Sequence, residues 1–137
     1  RVLPQHTDHA GVMWHGAYLG WLEEARVEAL AAVGLAYSAL SARCLALPVV
    51  SLSIDYRQAL LHGDVVQIWS QVLPRRGAKL PWRSWFIGPR GLLAAEARVD
   101  LVLVEMRGEG QQPRLLRRYP EDLETALATL AAGPSPL

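Results

Sequence analysis

Apolar residues recur every three or four positions between residues 16 and 33, and this periodicity predicts the longest helix of the chain. The residues that share the spacing are Leu19, Leu22, Ala25, Ala29, Leu30 and Val33. Gly34 follows the last of them, where a left-handed C-cap ends many helices. The preceding stretch, residues 4–15, has no period and contains Pro4 and Gly11, so we expect an irregular loop before the helix.

After Pro48 the apolar residues change from helical spacing to alternation, which is typical of strands that bury one face. The first strand is predicted over residues 49–57, with one face formed by Val50, Leu52, Ile54 and Tyr56. Three more strands are predicted over residues 65–73, 80–87 and 92–106, with turns at 62–64, 74–79 and 88–91. Pro81 favours an edge position or a bulge at the start of the third strand.

This order of elements predicts a single α+β domain over residues 1–132. A short helix or turn is expected at 36–43 and a C-terminal helix at 120–130, while residues 133–137 are expected to be a disordered tail. The long helix and the sheet must each bury an apolar face. The simplest arrangement is a four-stranded antiparallel meander wrapped around the helix.

Composition narrows the range of partners. The 14 basic and 13 acidic residues leave a net charge of +1, which predicts no general attraction to nucleic acid or to an anionic membrane. No apolar run is long enough to span a bilayer. Cys44 is the only cysteine, so no disulfide can form within the chain, and a reducing cytoplasm is the expected location. We expect Cys44 to be a buried small residue because no motif supports a nucleophile there.

The stretch from Thr7 to Tyr18 holds the densest group of candidate reactive residues. Asp8 lies in the predicted loop just before the long helix, whose first N–H groups have no partner within the helix. Such groups stabilise an oxyanion, and a carboxylate beside them suits acyl transfer. Aspartates are also common as turn or cap residues, and the pattern alone leaves both interpretations of Asp8 open.

Several blocks of residues resemble the hydroxybenzoyl-CoA thioesterase family over most of the chain. The first is Arg1-Val2, then Thr7-Asp8, Gly11-Val12, His15 and Tyr18. The remaining blocks are the run Trp21 to Glu28, then Leu47-Pro48-Val49-Val50, Ile54-Asp55-Tyr56-Arg57 and Gly63-Asp64. Two positions depart from the family pattern: Met13 replaces the usual valine, and His9 replaces a small residue. His9 therefore bears on substrate choice more than on the reaction.

The resemblance implies a hot-dog fold, assembled as dimers or tetramers, that hydrolyses acyl-CoA thioesters without a metal or cofactor. Asp8 matches the catalytic aspartate and acts as nucleophile or general base. His15 matches the residue whose main-chain N–H polarises the thioester carbonyl, and its ring is a further candidate contact. The implied substrate-binding residues are Gly11, Trp14, Gly16 and Tyr18. The acyl group, aromatic or of short to medium length, is left open.

Three other groups of residues have side chains that could form a site. His6, His9 and His15 match no common zinc spacing, so no metal site is predicted. Glu23 and Glu24 are expected to be solvated or salt-bridged, with Arg26 or Arg57 as partners, although some hot-dog enzymes use a helix carboxylate. The hairpin residues Arg75, Arg76 and Lys79 are either a solvated turn or a clamp for the phosphates of coenzyme A.

Two alternative functions stay open at this level. A hot-dog hydratase needs a different local pattern, commonly a histidine five residues after the aspartate, whereas His15 follows Asp8 by seven. A non-catalytic acyl-CoA-binding module would keep the fold and the pocket without turnover. The intact Asp8 favours the enzyme over the binding module.

Overall fold

The computed structural model describes residues 1–133, which form three helices and six strands. The helices are α1 (Ala17–Ala32), α2 (Tyr37–Ala42) and α3 (Glu121–Ala131). The strands are β1 (Leu45–Ala46), β2 (Val49–Tyr56), β3 (Gln67–Val72), β4 (Lys79–Ile87), β5 (Leu93–Glu105) and β6 (Arg114–Leu116). Short 3-10 turns occupy Pro4–His6 and Pro89–Gly91. The main helices and strands agree with the predicted ones to within two residues at each end, whereas β1 and β6 were not predicted.

The sheet is antiparallel, and its centre is the long strand β5. On one side of β5 lies β4, followed by β3, while β2 pairs with the other side through residues such as Leu52 opposite Val99 and Tyr56 opposite Ala95. β1 and β6 flank the last residues of β5. The predicted meander is thus correct for β3, β4 and β5 but wrong for β2, which does not pair with β3.

The segment between β2 and β3 explains this topology. Instead of forming a tight hairpin, residues 57–66 cross to the N-terminal part of the chain, where Met13 N–H donates to the Leu60 carbonyl at 2.7 Å. Val2 N–H likewise donates to the Asp64 carbonyl at 2.8 Å, and Leu60 is almost fully buried. The chain therefore leaves the sheet after β2, and the loop that carries Asp8 is fastened against this crossing.

The helix α1 packs into the curled sheet and buries one row of side chains. That row is Tyr18, Leu22, Arg26 and Leu30. The sequence-based stripe included Leu19, which is wrong, because Leu19 is 46% exposed. The many alanines of α1 leave its apolar stripe weakly defined, so the packing against the sheet sets which face is buried. Tyr18 and Arg26 are the two members of the buried row that the predicted stripe did not include.

The core is formed between α1, α3 and the inner face of the sheet. β4 contributes Trp82 and Phe86, and β5 contributes a row of apolar residues, which are Ala95, Ala97, Val99, Leu101 and Leu103. The ring of Tyr18 meets Phe86 edge to face, with 5.1 Å between centroids. A curled antiparallel sheet around a central helix is the hot-dog fold, so the predicted fold is confirmed.

Three local predictions have clear outcomes. Gly34 has φ +84°, as predicted for a left-handed C-cap. The prediction of an edge position or a bulge at Pro81 is wrong, because β4 lies between β3 and β5 and its register is regular there. Proline is tolerated because β3 ends at Val72, opposite Trp82. The Pro81 carbonyl accepts from Leu73 N–H, one residue beyond that end. The prediction that Cys44 is buried is wrong: the side chain is exposed, and φ is +59°.

Two predictions concern location and the chain end. No helix within residues 1–133 combines the length and the apolar character needed to cross a membrane. The predicted disordered tail, 133–137, lies outside the described residues except for Gly133.

Candidate functional site

The Asp8 loop is a small closed hairpin rather than a mobile connection. Asp8 N–H donates to the Val12 carbonyl at 2.8 Å, and Gly11 N–H donates to the Asp8 carbonyl at 3.1 Å. Thr7 and Met13 form an antiparallel bridge at its base. Gly11 has φ +77°, a value that residues with a side chain rarely adopt, so the turn of this hairpin favours glycine.

The carboxylate of Asp8 is anchored through one oxygen. Its Oδ1 accepts hydrogen bonds from the N–H groups of Ala10, at 2.8 Å, and Val12, at 3.2 Å. Within residues 1–133, Oδ2 has no hydrogen-bond donor, and the residue is exposed in the single chain. The anchored oxygen is typical of a turn aspartate. The second oxygen leaves a lone pair available for chemistry.

The start of α1 presents main-chain donors next to this loop. Ala17 N–H donates to the Trp14 carbonyl and Leu19 N–H to the Gly16 carbonyl. In the part of the chain that the structure describes, the N–H groups of His15 and Gly16 have no acceptor. Because the N-terminus of a helix carries partial positive charge, these two groups are suited to hold a negatively charged oxygen.

The side chain of Trp14 covers the helix start. A Cβ added to Gly16 would meet the Trp14 ring at less than the 3.0 Å that real Cβ atoms respect, so the indole lies directly over Gly16. The ring also meets His15 edge to face at 5.4 Å, and it is 45% exposed. Trp14 and Gly16, both predicted substrate-binding residues, are therefore in contact with each other.

A pair of tyrosines supports the other side of the helix start. The Tyr56 hydroxyl donates to the His15 carbonyl at 3.1 Å, and the Tyr18 ring meets the Tyr56 ring edge to face at 5.0 Å. Burial raises the pKa of the Tyr18 hydroxyl above its usual value, and the neighbouring Tyr56 raises it further. Both tyrosines therefore stay neutral near pH 7. Tyr56 was not among the predicted site residues, although it lies in one of the family-like blocks.

A depression of about 330 Å³ lies at this point of the surface. It is lined by Val12, Met13, His15, Tyr18 and Tyr56, together with residues 57–59. Asp8 is not among its lining residues within 1–133, although two residues of the Asp8 hairpin are. The Asp8 carboxylate and the helix start are therefore close in sequence, but a single chain does not enclose them in one pocket.

The basic hairpin lies at the other end of the sheet. Lys79 is opposite Val102 on β5, whereas Tyr56 is opposite Ala95, so the two regions are separated by seven residues of β5, or about 23 Å. Arg75 is held by an ion pair with Glu124 and stacks over the Tyr119 ring at 4.1 Å. These contacts fasten α3 to the hairpin.

Arg76 and Lys79 differ from Arg75. Their backbones exchange two hydrogen bonds across the hairpin, while both residues are exposed. In the part of the chain that the structure describes, neither side chain forms an ion pair. Arg76 and Lys79 therefore remain available for phosphate, whereas the Arg75 guanidinium is occupied.

Comparison with known proteins gives the family. A model described as the thioesterase-like superfamily matches residues 2–127. The chain belongs to this superfamily. The protein sll0410 of Synechocystis sp., an esterase by name, is 34% identical to this thioesterase-like chain over 131 residues, which cover 95% of this chain and 76% of sll0410. The acyl-CoA thioester hydrolase YbgC of Escherichia coli is 29% identical over 105 residues, which cover 77% of this chain and 78% of YbgC.

A solved structure supports the fold independently. The crystal structure of TT1821 from Thermus thermophilus superposes on this thioesterase-like chain with a TM-score of 0.79, with 30% identity and 95% coverage of both chains. Coverage this complete on both sides means that the two chains share nearly their whole architecture.

Proposed function

We propose that this protein is an acyl-CoA thioesterase of the hydroxybenzoyl-CoA thioesterase type, with Asp8 as its catalytic carboxylate. The observation that carries the proposal is the pairing of two features in one segment. Asp8 has one anchored and one unengaged oxygen, and the same segment runs seven residues later into a helix start with unengaged N–H groups at His15 and Gly16. Membership of the thioesterase-like superfamily and the similarity to YbgC support the same reaction.

The two features divide the chemistry between them. The thioester carbonyl oxygen is placed at the N–H groups of His15 and Gly16, which stabilise the negative charge that develops on it. Asp8 then either attacks the thioester carbon with its own oxygen or activates the water that attacks it. Tyr56 holds the carbonyl of His15 and so orients the peptide unit that presents the Gly16 N–H.

Either of two balanced routes fits this arrangement. In the covalent route an Asp8 oxygen bonds to the thioester carbon, the C–S bond breaks, and coenzyme A leaves as a thiolate that takes up a proton. Water then hydrolyses the mixed anhydride to the free acid and restores the carboxylate. In the general-base route Asp8 takes a proton from water, whose oxygen attacks the same carbon, and the proton passes to the departing sulfur.

The proposed assembly is a homodimer formed through the free edge of β2, or a homotetramer built from two such dimers. That edge strand pairs only with β5 among the described strands, and four of its apolar residues, Val49, Val50, Leu52 and Tyr56, are exposed in the single chain. Leu52, on the face that packs toward the core elsewhere in the sheet, is 43% exposed. A long, exposed, apolar edge is a template for another strand, and a two-fold axis through the middle of β2 would join two sheets into one.

The assembly has a direct test. Leu52→Lys places a charge on the proposed interface, whereas Ser53→Lys places one on the opposite face of the same strand. We expect wild type and the Ser53 variant to sediment as dimers or tetramers and the Leu52 variant as a monomer with little activity. A wild-type protein that is monomeric and fully active at assay concentration would refute the dimer.

Turnover is tested by release of free thiol from aromatic and aliphatic acyl-CoAs. Asp8→Asn keeps the acceptor oxygen for Ala10 and Val12, so we expect the variant to fold normally and to lose at least about 10²-fold in kcat. Turnover in water enriched in oxygen-18 separates the routes: label in the Asp8 carboxylate indicates the covalent route, and label confined to the product acid indicates the general-base route. Tight binding without turnover in the wild type would instead indicate the non-catalytic module.

The proposed partner is the acyl-CoA itself, and the proposed location is the cytoplasm. Aromatic and short to medium aliphatic acyl groups are both retained as candidates. The same thiol-release panel ranks these acyl groups. We expect an aromatic acyl group to rank above an aliphatic chain, because Trp14 offers a flat surface at the site.

A further inference from the structure

The backbone of His6 joins the two ends of the segment that carries the proposed catalytic groups. Its N–H donates to the Leu3 carbonyl at 2.9 Å, which closes a 3-10 turn, and its carbonyl accepts from Trp14 N–H at 3.0 Å. His6 lies two residues before Asp8, and Trp14 lies one residue before His15. The bond between His6 and Trp14 therefore closes the segment just outside both groups.

The imidazole ring of His6 attaches this segment to α1. Its Nε2 atom lies 3.4 Å from Nε1 of Trp21, and the two rings meet edge to face with 5.2 Å between centroids. On the other side of the ring, Nδ1 accepts from Leu3 N–H at 3.0 Å. Both rings are partly buried. The ring of His6 therefore connects the base of the Asp8 hairpin to a point on α1 beyond its first turn.

The two ring nitrogens of His6 face two N–H donors, although a neutral imidazole has only one nitrogen that can accept a hydrogen bond. The distance from Leu3 is the shorter of the two, which favours the tautomer that carries its proton on Nε2. A protonated imidazole has no acceptor at all, so it completes neither hydrogen bond and turns its own N–H groups toward those of Leu3 and Trp21. The neutral ring therefore holds the segment, and the charged ring does not.

The surroundings of the His6 ring leave room for a second ring proton. The ring borders a depression of about 430 Å³ between the N-terminal segment, α1 and the start of β3, where Val66 and Ile68 are apolar. The charged side chains that share this depression are Arg1, Glu24 and Glu28. On the hairpin side, the Asp8 carboxylate binds N–H groups of its own loop. No surplus of positive charge faces the ring, and histidines change charge between about pH 5 and pH 8.

We propose that His6 is a positioning residue for the reaction: its neutral ring fixes the Asp8 hairpin relative to the start of α1, and protonation of the ring releases the hairpin. The inference rests on the proposed function of Asp8. The hairpin itself stays closed, because the bridge at its base and the two hydrogen bonds to the Asp8 carboxylate do not involve His6. What changes is the placement of that carboxylate relative to the N–H groups of His15 and Gly16, on which the rate depends.

Three substitutions of His6 separate the parts that its ring plays. His6→Asn keeps an acceptor atom in the place of Nδ1 and does not titrate, whereas His6→Phe keeps the edge-to-face contact with Trp21 but has no acceptor. His6→Ala lacks both. At pH 7.5 we expect His6→Asn to stay within about 3-fold of the wild-type kcat. The other two variants should lose about 10-fold in kcat with little change in KM, because the contacts with the substrate are not altered.

The pH profile distinguishes positioning from a purely structural role. Between pH 7.5 and pH 5.5 we expect the wild-type kcat to fall by about 5-fold more than that of His6→Asn, since only the wild-type ring is protonated and released. His9 and His15 titrate in both proteins, so their effects cancel in the comparison. His62→Asn, which removes an exposed histidine outside the proposed site, should follow wild type. A loss of folded protein would lower activity by the same factor at both pH values and leave the profiles parallel.

A spectroscopic measurement tests the anchor without turnover. The NMR signal of the Trp21 indole N–H, identified by its loss in Trp21→Phe, should move between pH 7.5 and pH 5.5 in wild type but not in His6→Asn. At pH 5.5 the Leu3 N–H should exchange with solvent faster in wild type than in His6→Asn. Parallel activity profiles, or a Trp21 signal that does not respond to pH in wild type, would overturn the proposal. A wild type that hydrolyses no acyl-CoA while the signal moves as expected would count against the thioesterase and not against the His6 anchor.

Discussion

The indole of Trp14 lies directly over the α-carbon of Gly16, at the first turn of α1. The contact joins the end of the Asp8 hairpin to the N–H groups proposed to polarise the thioester. No side chain larger than hydrogen fits at position 16 while the ring stays in place. The Trp14 ring therefore covers Gly16 at the helix start.

Gly16→Ala should move the Trp14 ring and impair turnover. Because the ring is half exposed, it can swing aside, so we expect a modest loss of stability, about 1 kcal/mol, but a shifted tryptophan fluorescence and a kcat/KM lower by about 10-fold. Gly20→Ala is the matched control: nothing lies within 4 Å of a Cβ there, so the helix should gain up to about 1 kcal/mol. Adding Trp14→Ala to Gly16→Ala should recover the stability. Equal effects of the two glycine substitutions would contradict the contact.

Arg76 and Lys79 should affect only substrates that carry phosphates. Replacing both with serine is expected to raise KM for an acyl-CoA by about 30-fold, since each of the two charged contacts to phosphate contributes on the order of 1 kcal/mol. KM for the matching acyl-pantetheine should be unchanged. Arg75→Ala should instead lower the free energy of unfolding by about 1 kcal/mol, because Arg75 is occupied by Glu124 and Tyr119. If the serine variant weakens both substrates alike, the hairpin is not a phosphate clamp.

Acid should weaken the outer face of the sheet through Glu96. The hydrogen bond from Arg83, supported by Arg57, holds the pKa of Glu96 below its usual value in spite of partial burial. The ion pair therefore stabilises the folded state fully above about pH 4.5, and its contribution, about 1 kcal/mol, is lost as the pH falls through the lowered pKa. Chemical denaturation at pH 7 and pH 3 should show Glu96→Gln to be less stable than wild type at pH 7 only. A constant difference at both pH values would show that the lowered pKa plays no part.

Cys44→Gly should stabilise the protein. Cys44 has φ +59°, which is strained for a residue with a side chain, while its carbonyl accepts from Met106 N–H, a bond that glycine retains. We expect a gain of about 0.5–1 kcal/mol in thermal denaturation, reduced by the greater freedom of glycine in the unfolded chain. Ala39→Gly, within the ordinary helical backbone of α2, should instead lose about 1 kcal/mol. A loss of stability in the Cys44 variant would show that the thiol makes a contact that outweighs the strain.

Local patterns along the chain were sufficient for the helices and main strands. The alternation of Leu52, Ile54 and Tyr56 identified the inner face of β2, because side chains in a strand point to opposite sides in turn. Val50, predicted on the same face, falls at a register shift where Val49 is the residue opposite Leu101. Local patterns were not sufficient to predict the order of the strands in the sheet. Whether β2 pairs with β3 or with β5 depends on where residues 57–66 go, and that route is set by Leu60 and Asp64 bonding to a distant part of the chain.

The candidate site shows the same contrast between residues that the sequence identified and residues that only the tertiary structure revealed. Asp8, Gly11, His15 and Gly16 lie in one continuous segment, so the sequence and its family resemblance were enough to propose them as one site. Tyr56 could not be assigned a role, because its hydroxyl reaches His15 only after the sheet has folded over the helix. The buried position of Arg26 was hidden for a related reason: an alanine-rich helix has no sharply defined apolar face, and only the sheet it packs against decides which side chains lose contact with water.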